Sequence, residues 1–244
     1  MVAINCRGVI FQDIQAIIFD KDGTLEDSQE YLRNLGQKRA RLIDARIPGI
    51  GEPLLMAFGI NGHEINSTGL MAVGSRRENE IAAAAYIAET GRGWLESLTI
   101  VKEVFAEAEQ ILPKSIPGSL FKGSLEVLKY LSQAGIKIGI LSADSTTAVQ
   151  NFIKYYQLNG YIQIEMGVDD GPSKPDPKLF LQTCQKLGVK PVRALMVGDS
   201  PIDIEMGRKA GAAGCIGIYR GKAEANHLQA ADVAIAKLEE IKVS

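Results

Sequence analysis

Short apolar runs alternate with helical stretches along most of this chain of 244 residues. The runs that read as strands are Ala16–Asp20, Lys137–Ser142, Tyr161–Glu165, Arg193–Gly198, Cys215–Tyr219 and Val233–Ile235. Continuous apolar strands are typical of parallel sheets that are buried on both faces. The alternation therefore predicts an α/β fold built on a doubly wound parallel sheet. A small hairpin over Val2–Phe11, turning at Arg7-Gly8, is expected at the edge of that sheet.

One long segment interrupts the alternation, because helical patterns fill it and no strand pattern stands out. The helices predicted in the chain are Glu30–Arg46, Arg76–Glu89, Trp94–Leu112, Leu120–Ala134 and Lys178–Leu187. Pro and Gly residues between 48 and 53 indicate a break after the first of them. We therefore predict an α/β core formed by residues 1–27 and 116–244, with an all-helical domain inserted over residues 28–115.

The composition excludes several classes of protein. The formal net charge is -2 and there is no long basic block, so nucleic acid is not an expected partner. The three cysteines, Cys6, Cys184 and Cys215, are far apart, which argues against a disulfide framework or a zinc site. No apolar window is long enough to span a bilayer, and the N-terminus does not resemble a signal peptide. We expect a cytoplasmic protein with no membrane partner.

Two carboxylates follow the first predicted strand of the sheet. Ligands of open α/β sheets bind beyond the carboxyl ends of the strands, and this strand ends in Asp20-Lys21-Asp22-Gly23-Thr24. Alternation along an extended chain predicts that Asp20 and Asp22 point the same way and that Lys21 points elsewhere. Such a pair suits a nucleophile beside a general acid/base. The simpler alternative is a surface turn with ordinary acidic residues.

Polar groups also follow the later strands. Ser142, with the backbone N–H groups that follow it at Ala143 and beyond, could hold a phosphate oxygen, although Ser142 could merely end its strand. Lys174 lies in a loop between prolines, where a fixed ammonium could stabilise a phosphoryl group, or could simply be solvated.

Asp199 directly follows the strand Arg193–Gly198, and Asp203 lies four residues later. Magnesium usually takes one or two carboxylates together with water and substrate oxygens, and Asp20 with Asp199 would supply that pair. Asp203 could be only a helix-capping group, because Ser200 reads as an N-cap three residues before it.

The ordered set of DxDGT, a hydroxyl, Lys-Pro and GDxxxD resembles the haloacid dehalogenase superfamily of phosphatases. The resemblance covers residues 14–27 and 116–236 and is closest to the branch of phosphoglycolate phosphatase and β-phosphoglucomutase. It implies that Asp20 is the nucleophile and Asp22 the acid/base, whose backbone carbonyl also binds Mg²⁺. Ser142, Ala143 and Lys174 would hold the phosphoryl group, and Asp199 and Asp203 would bind or orient the metal. The helical insertion would be the cap domain.

The resemblance further implies a magnesium-dependent phosphatase that hydrolyses a small phosphorylated metabolite, as a monomer or homodimer. Two departures from the pattern stand out, because Lys21 replaces a residue that is often apolar, and Ala143-Asp144 replaces a site that often carries Asn or Gly. A phosphosugar mutase would use the same residues, and a non-catalytic module phosphorylated on aspartate is a third hypothesis. A dehalogenase would not need Asp22.

Arg76 and Arg77 open a predicted helix of the insertion, with Ser75 as its N-cap. Adjacent helical residues point about 100° apart, so both arginines are not expected to face one core. We predict that one of them binds a carboxylate or a second phosphate of the substrate. The alternative is a solvated pair that interacts with Glu80.

Overall fold

The computed structural model of the chain describes residues 2–66, 68–113, 117–169, 171–220 and 225–244. The strands in these ranges are β1 (Val2–Cys6), β2 (Val9–Ile14), β3 (Ala16–Phe19), β4 (Glu26–Asp27), β5 (Ile60–Asn61), β6 (Glu64–Ile65), β7 (Ser119–Leu120), β8 (Lys137–Leu141), β9 (Ile164–Met166), β10 (Ala194–Gly198), β11 (Gly214–Ile218), β12 (Val233–Ile235) and β13 (Ile241–Val243). The helices there are α1 (Gln29–Arg46), α2 (Gly51–Phe58), α3 (Leu70–Val73), α4 (Arg76–Glu89), α5 (Trp94–Ile111), α6 (Ser124–Gln133), α7 (Thr146–Tyr155), α8 (Pro177–Leu187) and α9 (Pro201–Lys209). None of these described helices is long and apolar enough to cross a membrane.

The chain divides into two compact units. One unit combines Met1–Asp27 with Pro117–Ser244, and the other is Ser28–Ile116. The predicted return to the core, between residues 115 and 116, lies outside the described residues, so that boundary stays a prediction.

A six-stranded parallel sheet forms the centre of the first unit, in the order β12-β11-β10-β3-β8-β9. Every residue of β3, β10 and β11 is buried, as their continuous apolar sequences predicted. Alternate side chains of β3 enter different apolar clusters: Ile17 and Phe19 join one, and Ala16 and Ile18 join the other. The sheet therefore has a core on each face, which confirms the doubly wound fold.

The N-terminal hairpin forms with Arg7 and Gly8 at its turn, where φ is 49° and 88°. We predicted that this hairpin lies at the edge of the main sheet, and that prediction is wrong. The hairpin belongs to a separate sheet of order β13-β1-β2. The C-terminal strand β13 pairs antiparallel with β1 and so completes this sheet. A pairing between the two ends of the chain has no local sequence signal.

The predicted helix Leu120–Ala134 begins four residues late. Leu120 belongs to β7, which pairs with β4 through Glu26. Gly123 then adopts a left-handed conformation, with φ at 86°, immediately before α6 begins. The apolar residues at 120 and 121 match a helical period, but they lie on a strand and a turn. Their backbone hydrogen bonds go to the chain around β4, where the Phe121 N–H donates to the Leu25 carbonyl.

The second unit is built from α1 to α5 around its own apolar cluster, which includes Ile43, Phe58, Ile87 and Phe105. Its only described strands, β5 and β6, form a hairpin of two-residue strands, a small departure from the all-helical prediction. The Pro/Gly-rich break contains α2, with Pro53 in its first turn. Proline is tolerated there because the first backbone N–H groups of a helix lack intrahelical acceptors.

Candidate active site

The predicted site residues follow three neighbouring strands of the main sheet. β8, β3 and β10 are adjacent and parallel, so their carboxyl ends meet at one edge. Asp20 comes directly after β3, Ser142 after β8 and Asp199 after β10. The strand order thus brings together residues that are as much as 179 positions apart in the chain, from Asp20 to Asp199.

Asp20 is a buried carboxylate with a charged partner. Its Oδ1 accepts a hydrogen bond from the ammonium of Lys174 at 2.5 Å, while its Oδ2 is buried with no hydrogen-bond partner. Burial raises the pKa of Asp20 to about 7, and the positive charge of Lys174 opposes that rise. The unpartnered oxygen can accept a cation or attack an electrophile.

Lys174 is not a solvated surface residue. Its side chain is buried, and its Nζ lies 2.5 Å from Asp20 Oδ1 and 2.7 Å from Asp203 Oδ1. Burial alone lowers the pKa of Lys174, but the two carboxylates more than offset this and raise it above its ordinary value. The ammonium therefore stays charged and links the loop after β3 to the first turn of α9.

Three carboxylates converge where a metal ion could bind. Oxygen atoms of Asp20, Asp199 and Asp203 lie within 4.8 Å of one another. The pKa of Asp199 is raised well above its ordinary value, first by burial and then by the charges of Asp20 and Asp203. Asp203 also caps α9, because its Oδ2 accepts a hydrogen bond from the Ser200 backbone N–H at 3.3 Å and another from Ser200 Oγ at 2.8 Å. Asp203 is thus both a helix cap and a member of the acidic cluster, and its role towards a metal ion stays a prediction.

The cluster fits a hard divalent cation such as Mg²⁺. All of its donors are carboxylate oxygens, the type that Mg²⁺ prefers, and Asp20 presents a buried oxygen without a hydrogen bond. Buried carboxylates this close repel each other, and a cation relieves that repulsion. The part predicted for the Asp22 backbone carbonyl stays a prediction.

Two glycines allow the carboxylates to come close to the backbone. Gly23 has a φ of +80°, and a Cβ there would lie 2.1 Å from Asp199 Oδ2. A Cβ on Gly198 would lie 2.4 Å from Asp203 Oδ2. A side chain at either position would displace a member of the cluster.

Asp22 has different partners from Asp20. Its Oδ2 lies 2.6 Å from Lys21 Nζ and 3.4 Å from Ser142 Oγ, which donates to it. Ser142 is buried, and its Oγ also accepts a hydrogen bond from the Asp144 backbone N–H at 3.1 Å. Ala143 is half-buried and lies between Ser142 and Asp144 in the same loop. The structure therefore brings Asp22 and Ser142 together, and their assigned roles stay predictions.

Lys21 was wrongly expected to point away from both aspartates. The chain turns after Asp20, where the Lys21 carbonyl accepts hydrogen bonds from the backbone of Leu25 and Glu26, so alternation no longer applies. The Lys21 side chain is fully buried, and its Nζ lies 2.7 Å from Glu26 Oε2 and 3.0 Å from Asp144 Oδ2. Burial alone lowers its pKa, but Asp144, Asp22 and Glu26 raise it well above the ordinary value.

Sequence reasoning also missed His227 and Arg220. His227 lies in no recognisable motif, but its Nε2 lies 3.1 Å from the backbone oxygen of Asp199. Arg220 donates from Nη2 to the Thr24 backbone oxygen, and its guanidinium lies 4.0 Å from the ring centroid of Phe121. Burial lowers the pKa of Arg220 to about 10. Both residues follow β11, and that position was the only available signal.

Arg76 and Arg77 lie in the helical unit, at the start of α4. Ser75 and Glu78 form the predicted N-terminal cap as a capping box. Arg76 is ion-paired with Glu80 at 3.0 Å and Glu109 at 2.8 Å, and Arg77 with Glu80 at 3.5 Å. The expected partner Glu80 is therefore present, and a role of either arginine in substrate binding stays a prediction.

Comparison with known proteins matches residues 14–211 to the family of haloacid dehalogenase-like hydrolases. The phosphoglycolate phosphatase of Psychrobacter arcticus is 30% identical over 207 residues, which cover 81% of this chain and 80% of that protein. The putative pyrophosphatase PpaX of Clostridium perfringens is 38% identical over 90 residues, or 36% of this chain and 42% of that protein. The crystal structure of a predicted phosphoglycolate phosphatase from Haemophilus somnus superposes with a TM-score of 0.67 at 23% identity, covering 93% of this chain and 96% of that one.

Proposed function

Because the chain belongs to the haloacid dehalogenase-like hydrolases, in the branch of the phosphoglycolate phosphatases and β-phosphoglucomutases, we propose that it forms an aspartyl-phosphate on Asp20. The family and its phosphatase relatives identify the chain as a phosphatase. The covalent intermediate, the metal ion and the substrate are the proposal. The observation that supports it best is the buried Asp20 carboxylate, with one oxygen bound to Lys174 and the other unpartnered.

The proposed reaction has two steps. First, one carboxylate oxygen of Asp20 attacks phosphorus, the bond from phosphorus to the leaving oxygen breaks, and Asp22 gives its proton to that oxygen. Second, Asp22 takes a proton from water, whose oxygen attacks phosphorus and releases Asp20 and inorganic phosphate. Each step leaves Asp22 ready for the next one, so the cycle is balanced in protons.

Other residues of the chain would hold the phosphoryl group during transfer. Ser142 and the backbone N–H of Ala143 would donate to its oxygens, and the ammonium of Lys174 would offset their charge. Phosphoryl transfer depends mainly on positioning and on charge stabilisation. Asp199, Asp203 and Asp20 would hold Mg²⁺, which when bound supplies positive charge that stabilises the transferring group.

The substrate that we propose is a small phosphorylated metabolite, phosphoglycolate-like or a sugar phosphate. A relative that matches over 80% of its own length is a phosphoglycolate phosphatase, which makes a small acidic phosphate ester the first compound to test. An acidic substrate would also give Arg76 or Arg77 a carboxylate to bind, in exchange for the glutamates that hold them now. A mutase would use the same core residues but would return the phosphate to a sugar.

The test is the release of inorganic phosphate from phosphoglycolate, glycerol phosphate and glucose phosphates, with Mg²⁺ present. We expect phosphate to accumulate, EDTA to abolish turnover and added Mg²⁺ to restore it. Asp20→Asn, which is nearly isosteric but a poor nucleophile, should lower kcat by at least about 10³-fold. Circular dichroism should show that this variant keeps its fold.

Three results would argue against the proposal. Full activity of metal-free protein would show that the reaction needs no metal ion. Normal turnover by Asp20→Asn would show that no covalent intermediate forms on Asp20. Interconversion of sugar phosphates without accumulation of inorganic phosphate would replace the phosphatase by a mutase.

A further inference from the structure

The ammonium of Lys21 is surrounded by three carboxylates. It lies 2.6 Å from Asp22 Oδ2, 2.7 Å from Glu26 Oε2 and 3.0 Å from Asp144 Oδ2. The Lys21 and Glu26 side chains are fully buried, whereas that of Asp144 is 30% exposed. The cluster contains Asp22, but its other three members have no part in the two-step reaction.

Both departures from the family pattern meet in this cluster. Lys21 occupies the position between the first two aspartates, and Asp144 lies two residues after Ser142. Although 123 residues separate them in the chain, their charged groups are in contact. A cation at one position and an anion at the other therefore form an ion pair between the loops that follow β3 and β8.

The groups that bind the ammonium are themselves held in place. Glu26 uses its other oxygen, Oε1, to accept a hydrogen bond from the Gly118 backbone N–H at 2.6 Å, and it lies in β4, paired with β7. The backbone N–H of Asp144 donates to Ser142 Oγ at 3.1 Å. Because these partners belong to separate segments of the fold, the ammonium cannot move without breaking contacts to both.

The fixed ammonium in turn holds the carboxylate of Asp22. Without it, Asp22 would lose the positive charge that it shares with Glu26 and Asp144, and the three like charges would repel each other more strongly. The hydrogen bond from Ser142 to Asp22, at 3.4 Å, is too long to hold the carboxylate as firmly as the ammonium does.

From this geometry we propose that Lys21 is a positioning residue, which holds the Asp22 carboxylate where it exchanges a proton with the leaving oxygen. The inference rests on the proposed function, since it assigns the acid/base role to Asp22. Lys21 does not touch the phosphoryl group in this role and acts only through Asp22.

Positioning of an acid has a chemical signature that a purely structural role lacks. An alkyl phosphate needs its leaving oxygen protonated, whereas p-nitrophenolate is stable enough to leave without a proton. The ratio kcat/KM reports the transfer step for each ester, independently of the later attack by water. Loss of positioning should therefore reduce kcat/KM for the alkyl ester far more than for the aryl ester.

The experiment compares Lys21→Met with the unaltered chain on phosphoglycolate and on p-nitrophenyl phosphate, with saturating Mg²⁺. General acid catalysis contributes roughly 10²–10⁴-fold, so we expect kcat/KM for the alkyl ester to fall at least about tenfold. For the aryl ester we expect a fall of less than about threefold. Lys137→Met is the matched control, because Lys137 lies at the opposite end of β8 and its Nζ donates to the Leu187 backbone oxygen.

A second variant keeps the test valid if Lys21→Met does not fold. Lys21→Met with Glu26→Gln removes one uncompensated carboxylate, and the glutamine oxygen can still accept from Gly118. We expect the same ester-selective loss in this double variant. Circular dichroism and thermal unfolding establish which variants are folded.

Equal losses on the two esters, or no loss on either, would overturn the positioning role while leaving the phosphatase in place. Failure of both variants to fold would assign Lys21 to stability and would also overturn it. If the unaltered chain hydrolyses neither these two esters nor glycerol phosphate and the glucose phosphates, the proposed function fails and this inference fails with it.

Discussion

The individual residues that matter most here are buried carboxylates. Three of them, Asp20, Asp199 and Asp203, lie close together. The ammonium of Lys174 contacts the carboxylates of Asp20 and Asp203. Burial and mutual repulsion raise the pKa values of Asp20 and Asp199 although the charge of Lys174 opposes both rises, so a further cation would stabilise the charged carboxylates. The same groups that would perform the chemistry therefore reduce the stability of the metal-free protein.

Magnesium should accordingly stabilise the folded chain. A ligand present at a hundredfold excess over its Kd stabilises by about 2.7 kcal/mol, which for a protein of this size corresponds to a rise in Tm of roughly 5–10 °C. Thermal unfolding with and without Mg²⁺ measures this, with Asp199→Asn as the comparison. In Asp199→Asn most of the rise should disappear, because one ligand and one charge are lost. An equal rise in both proteins would place the metal elsewhere.

At the residue scale, the sequence predicts those features that depend on neighbouring positions in the chain. Asp20, Ser142, Lys174 and Asp199 could be proposed from the sequence because each follows a strand or lies in a distinctive loop. Lys21 was misjudged because the chain turns at that point, and a turn cancels the alternation on which the prediction relied. The contacts of His227 and Arg220 depend on how distant loops meet, which no short sequence pattern encodes.

Helices and strands were predicted best where local signals set their ends. The bounds of α4 match the prediction, because a capping box at Ser75 fixes where the helix begins. α6 and the N-terminal hairpin were placed less well, since β7 and β13 pair with strands from distant parts of the chain. α2 was missed because its Gly and Pro residues read as a break, although they lie in its first turn.

The junction between α1 and α2 provides a prediction at this scale. Asp44 Oδ1 accepts hydrogen bonds from the backbone N–H groups of Gly49 and Gly51, each at 2.9 Å. These bonds hold the pKa of Asp44 below its ordinary value of 3.8, and the bond from Gly51 has the larger effect. A carboxyl with a lowered folded-state pKa stabilises the fold while it is charged, and the stabilisation is lost as the pH falls below that ordinary value.

Asp44→Ala should therefore lower the stability at neutral pH and have less effect in acid. Urea unfolding of both proteins near neutral pH and again at about pH 3 measures the difference, which should shrink at the lower pH. Asp44→Asn is the matched control, because its amide oxygen still accepts hydrogen bonds without a titratable charge. A difference that does not change with pH would show that the charge of Asp44 has no part in holding the junction.

At the scale of the whole molecule, each compact unit has an apolar core of its own. The α/β unit has one on each face of its sheet, and the helical unit has one among α1 to α5. The acidic cluster, Lys174, Ser142 and the Lys21 network all belong to the α/β unit. That unit alone therefore contains the groups that the proposed chemistry requires, and the helical unit contributes Arg76 and Arg77 as candidates for substrate binding.

The measurement that tests the central claim most directly is the location of the phosphoryl group during turnover. Asp22→Asn should still accept a phosphoryl group from p-nitrophenyl phosphate, which needs no acid, but should hydrolyse it slowly because no base activates water. Acid quenching after one turnover, followed by peptide mapping by mass spectrometry, should find the phosphoryl group on Asp20, with about one p-nitrophenolate released per chain. A phosphoryl group on any other residue, or slow turnover by a folded variant with no phosphorylated peptide, would contradict the account.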